Sequence, residues 1–74
     1  MLRIRIREEA ERKGISMSKL SRLADVNLKT LQTIYKDPYH GLNTITLHKI
    51  AKALGVPTWT LLEDEPDIPN EDKK

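Results

Sequence analysis

Leu28, Lys29, Gln32, Thr33 and Lys36 lie three and four residues apart, so on a helix they share one side. Their side chains are an apolar tip, two ammonium groups, an amide that both donates and accepts, and a hydroxyl. That set can bond to the edges of bases and to phosphate oxygens. Tyr39, His40 and Asn43 follow within a few residues and add a phenol, an imidazole and another amide. Ser16 and Asn27 are residue types that cap helix N-termini, and capped N-termini attract anions. Together these residues suit recognition of a polyanion with readable edges.

Other chemistries have less to work with. The chain has no cysteine, so neither a thiolate nucleophile nor a thiolate metal site can be built. His40 and His48 stand eight residues apart with no third ligand nearby, so no metal site is expected. The glycines are scattered at 14, 41 and 55 and form no phosphate-cradling loop. Glu8, Glu9 and Glu11 read as a helix start rather than as acid catalysts. Neither histidine has a serine and carboxylate partner at a recognisable spacing. The expectation is a binding protein, not an enzyme, with no cofactor.

The elements that must hold the polar row in place can be traced outward from it. Asn27 caps a helix over 28–36, and Asp37-Pro38 stops it. Ahead of it Ser16 caps a helix over 17–24, with Leu20, Leu23 and Ala24 at helical spacing. Between them Asp25 can take the left-handed conformation, and Val26 is apolar. Leu20, Val26, Leu31 and Ile34 are placed to form the packed angle, while Ser21 and Ala24 are small enough for close approach. This is a helix-turn-helix pattern, whose second helix can enter a groove about 12 Å wide. A plain helical hairpin has the same spacing. Residues 37–43 form a polar loop. Asn43 caps a fourth helix with Leu42 and Leu47 as a staple, and Leu47, Ile50, Ala51 and Leu54 form its stripe. Gly55 and Pro57 end it, and a short helix over 58–62 carries Trp59, Leu61 and Leu62. At the start, Leu2, Ile4 and Ile6 alternate with Arg3, Arg5 and Arg7. Two readings fit this start equally: a strand over 2–6 followed by a helix over 7–13 ended by Gly14, or a single helix from residue 2 with Leu2, Ile6 and Ala10 on one face.

At 74 residues the chain makes one domain with a modest core. It has no apolar run near the roughly 18 residues of a membrane span and no secretory signal at its start, so the cytoplasm is the expected location. The net charge of +2 hides an asymmetry. Residues 1–62 hold eleven Lys/Arg against five Asp/Glu, and residues 63–74 hold two against six. A basic body suits a polyanionic partner. From Glu63 onward the acidic, proline-containing stretch with its isolated Ile68 should be disordered, which gives a domain over 1–63 and a tail over 64–74.

The stretch Gly14-Ile-Ser-Met-Ser-Lys-Leu-Ser-Arg-Leu-Ala-Asp-Val-Asn27 resembles the opening of the Cro/cI-type (Xre) helix-turn-helix family. Thr46-Leu-His-Lys-Ile-Ala-Lys-Ala-Leu-Gly-Val-Pro57, followed by Leu61-Leu62, is similar to that family's fourth and fifth helices. The likeness spans about residues 2–63. It implies an all-α, five-helix lambda-repressor-like bundle and a transcriptional regulator, commonly a repressor that binds a palindromic operator as a homodimer. Some positions depart from the pattern. Met17 stands where the family often has a glutamine that clamps the DNA backbone. Asp25 replaces a frequent turn glycine. Ala10 and Tyr35 stand where many members pair an arginine with a glutamate, an exchange of an ion pair for ring packing.

In this docking mode Leu28, Lys29, Gln32 and Thr33 are expected at base edges, with Lys29 suited to guanine. Ser16, Met17, Asn27, Thr30, Lys36, Tyr39, His40 and Asn43 are expected along the backbone. Trp59 has two readings: a cover over the edge of the core or, with Leu62, the anchor of a dimer. Leu2 and Ile4 offer a second dimer contact through an unprotected strand edge. A rival to the regulator is an interaction module such as the antitoxin of a toxin–antitoxin pair, whose acidic tail engages a protein partner.

Overall fold

The computed structural model describes residues 1–66. The alternation at the N-terminus resolves into strand β1 (Leu2–Ile4) and helix α1 (Ile6–Arg12). The strand is shorter than the expected 2–6 because the chain turns helical at Ile6. Ile4, at the end of the strand, and Ile6, at the start of the helix, are both buried, at 6% and 0% exposure. Ala10, one turn on from Ile6, is fully buried beside it. Glu8 and Glu9 occupy the first turn of α1, where the helix dipole favours acids.

Helix α2 (Met17–Ala24) and helix α3 (Leu28–Lys36) begin and end where their capping residues predict. The Ser16 hydroxyl accepts from the Lys19 N–H, and the Asn27 side-chain oxygen accepts from the Lys29 N–H at 2.8 Å. Asp25 takes the left-handed conformation at φ 55°. Ser21 does more than allow close approach. Its carbonyl accepts from the Asp25 and Val26 N–H groups, and its hydroxyl donates to the Val26 carbonyl at 2.6 Å. One serine thus closes both sides of the turn that sets α2 against α3.

Helix α4 (Thr44–Leu54) is capped by Asn43 and ends at Gly55, whose φ of 72° needs no Cβ. Among the described residues it is the last α-helix, which makes four rather than the five expected. Thr58–Leu61 forms a single 3₁₀ turn instead. Pro57 starts it, and with Leu62 already extended too few residues remain for an α-helical ladder.

The segment beyond the 3₁₀ turn corrects the expectation for the tail. Leu62–Asp64 forms strand β2, antiparallel to β1 in the register Leu2↔Asp64, Arg3↔Glu63, Ile4↔Leu62. The ladder continues past the strands: Arg5 N–H donates to the Leu61 carbonyl at 2.7 Å, and Glu65 N–H to the Met1 carbonyl at 2.8 Å. Arg3 bonds Glu8 and lies 3.4 Å from Glu63, tying both strands to α1. Glu63 and Asp64 are therefore ordered parts of the sheet; for 67–74 the expected disorder falls outside the described residues.

The core gathers Ile4, Ile6, Ala10, Leu20, Ala24, Val26, Leu31, Ile34, Leu47, Ile50, Ala51, Leu54 and Leu61. It draws on every helix, the 3₁₀ turn and β1, so the turn between α2 and α3 rests on one continuous interior. No helix among the described residues is long and apolar enough to cross a membrane.

Candidate nucleic-acid interface

α3 buries Leu31 and Ile34 and half-buries Tyr35, which rotates its polar row outward. Lys29, Gln32, Thr33 and Lys36 line a shallow hollow of ≈ 320 Å³ along that outer face. Lys29 and Thr33 also line a second cleft of ≈ 440 Å³, shared with Asn27, Thr30, His40, Gly41, Leu42, Asn43 and Thr46. The two hollows form one surface across α3 and the loop that follows it. Leu28, at 37% exposure, sits at the first position of α3.

The cleft brings two helix starts together. Asn27 caps α3 and Asn43 caps α4, whose oxygen accepts from the Thr46 N–H at 2.9 Å. Each cap uses the amide oxygen, which leaves the NH₂ donors for another acceptor. Both helix dipoles direct their positive ends towards this region. Lys29 adds a full charge, and among the described residues no carboxylate lines the cleft. The Thr33 hydroxyl donates to the Lys29 carbonyl at 3.0 Å, so towards a ligand it offers lone pairs and a methyl group.

The sequence that builds this two-helix angle matches a known family. The model of the Cro/C1-type HTH DNA-binding domain matches residues 5–67. The chain belongs to that family. Among curated proteins none matches the chain. The stretch matched to the Cro/C1-type domain takes in everything described except the first four residues, with α2, the turn and α3 inside it.

Several expected contacts of the Cro/C1-type domain lie away from the cleft. Met17 packs against the core from the start of α2, and Ser16 is occupied as its cap; neither lines the cleft. Tyr39 points elsewhere, its hydroxyl donating to Glu65 Oε1 at 2.8 Å. That bond, with burial adding to it, pushes the phenol's pKa up. The Tyr39 ring lines an apolar hollow of ≈ 200 Å³ with Leu2, Ile4, Leu42, Leu47 and Leu62. Thr46 is a cleft residue that the sequence reading passed over. Its position three residues after the Asn43 cap was the available signal.

The residues named for a dimer divide. Trp59 is 74% exposed, so it does not cover the core edge. Ile4 is buried within the chain and presents nothing to a second copy. The β1 edge is not unprotected either. β2 pairs with one side, and on the other the Ile4 N–H donates to the Pro38 carbonyl at 2.7 Å. Leu2 is exposed and Leu62 half-buried. Tyr35 is partly buried against the core and lines a hollow with Ile34 and Arg7. Burial first, then Glu11, raises its pKa, while Arg7 opposes.

Proposed function

We propose that this protein is a sequence-specific transcriptional regulator, a repressor that blocks its site by occupancy, with α3 inserted in the major groove of double-stranded DNA. One observation carries the reading: the capped starts of α3 and α4 converge, with Lys29 and His40, on a cleft that no carboxylate among the described residues lines and that is continuous with the outer face of α3. In this docking mode the N-terminal part of the helix meets base edges. Lys29, Gln32, Leu28 and the methyl and lone pairs of Thr33 read them. Asn27, Thr30, Lys36, His40 and Asn43 hold phosphates.

A nine-residue helix reads few base pairs, which favours a homodimer on a palindromic site with half-site centres about 34 Å apart. Trp59, the most exposed large apolar side chain among the described residues, is the anchor proposed for the second copy. Sedimentation of the protein–DNA complex should give two chains per site. A one-to-one complex on the best site would sink the dimer.

The experiment is selection of bound sites from a random library at stated salt, followed by two variants. Lys29→Ala should cost about 1–3 kcal/mol on the best site and relax preference at one base position. Lys36→Ala should weaken all sequences about equally and reduce the salt slope by about one. If Lys29→Ala lowers affinity uniformly and every base preference survives, α3 is not the reading element.

A further inference from the structure

His40, Gly41 and Leu42 line both the polar cleft and the apolar hollow behind it. These three consecutive residues are a wall one chain thick between the two. On the rear side the loop over 37–43 is tied to the terminal ribbon at two points. The Ile4 N–H of β1 donates to the Pro38 carbonyl at 2.7 Å, and the Tyr39 hydroxyl donates to Glu65, the residue after β2, at 2.8 Å. Within the loop, Tyr39 N–H bonds the Asp37 carboxylate and His40 N–H the Asp37 carbonyl. Leu42 then leans on the core.

We propose that Tyr39 and Glu65 are positioning residues for nucleic-acid binding, their hydrogen bond holding the wall so that His40 and Asn43 meet the phosphate backbone in fixed geometry. This rests on the cleft being the DNA-facing surface. The argument is one of leverage. Tyr39 is the immediate neighbour of His40; Tyr39 lines the rear hollow and not the cleft, while His40 lines both. Its tie reaches across the fold, 26 residues along the chain, so the loop's place depends on a segment that does not line the cleft. A loop held in advance loses less freedom on binding than one that must settle around its ligand. The bond is also aimed away from the cleft, so Tyr39 acts through its neighbours rather than on the phosphate itself.

The test is binding of the full chain to its best selected duplex, with melting measured alongside. Tyr39→Phe removes the donor without changing charge and should weaken binding about 2–10-fold, the worth of one hydrogen bond. Glu65→Ala and Glu65→Gln remove the same negative charge, but only Gln keeps an acceptor. The Ala variant should bind more weakly than the Gln variant by the factor seen for Tyr39→Phe, and on a Tyr39→Phe background the two should bind alike. His40→Ala should cost less on that background than in the wild type, which a purely structural role would not produce. Equal binding by the two Glu65 variants, with Tyr39→Phe still weakened, would mean that Tyr39 touches DNA directly and would overturn the proposal. So would Tyr39→Phe binding like the wild type. If Lys29→Ala still loses base preference in those cases, the functional reading stands without this one. If the wild type selects no sequence, both fall.

Discussion

Glu8 and Glu9 are neighbours in sequence and meet different surroundings. Glu9 is a buried carboxylate, 6% exposed at its side chain, and takes two bonds from Arg12 with Arg5 at 4.0 Å. Glu8 is more open and receives Arg3. Burial opposes its ionisation, but the Arg3 hydrogen bond and the charges of Arg3 and Arg5 outweigh burial and hold its pKa below the ordinary value. A depressed carboxylate contributes stability that is present above its unfolded value and lost as pH falls through its folded value. Glu8→Gln should therefore be less stable than the wild type near neutral pH, and the gap should close below about pH 4. Urea unfolding at several pH values would check this. A gap that stays constant into acid would mean that the Arg3 contact does not act through charge.

Elements were legible where their signals are local. Ser16, Asn27 and Asn43 each cap a helix through the next two or three residues, so the starts of α2, α3 and α4 could be read from short windows. Asp25 marks its turn in the same way. The 3₁₀ turn and β2 lacked such signals. Thr58-Trp-Thr-Leu61 has the apolar spacing of a helix but not the length. Leu62 reads as the end of that helix and Glu63-Asp64 as the start of an acidic stretch, because what makes the three a strand is β1, about sixty residues away. The polar row of α3 was legible for the reason that its helix was. The turn itself rests on Ser21, read only as a small residue. Ser21→Ala keeps the size and deletes the bond to the Val26 carbonyl. It should cost about 0.5–1.5 kcal/mol by denaturant unfolding and weaken DNA binding beyond what lost stability explains. Unchanged binding by the folded variant would show that the turn holds its angle by packing alone.

For the whole molecule, the ribbon joins the first described residues to the last. A chain ending at Pro66 keeps both strands, the Arg3–Glu63 contact and the Tyr39–Glu65 bond. A chain ending at Leu61 loses all three, and with them Leu62, the cross-strand partner of the buried Ile4. In a domain this small the loss of even 1–2 kcal/mol is a large share of the total. Thermal melting should show the first truncation within about 2 °C of the full chain and the second lower by about 5 °C or more. Equal midpoints would mean that β2 adds nothing to the fold. The ribbon also closes the longest loop among the described residues, so its pairing should come late in folding, after the local helices.

The same pairing has a mechanical side. Met1 and Glu65 face each other at one end of an antiparallel ribbon. Tension applied between them pulls at right angles to the strands and loads the hydrogen bonds one after another, as a zip opens, instead of sharing the load among them. The domain is therefore soft along the line joining its ends, whatever its thermodynamic stability. The first link to part is the one beside Glu65, the anchor of Tyr39, so a tug on the ends would slacken the wall of the cleft while every helix was still wound.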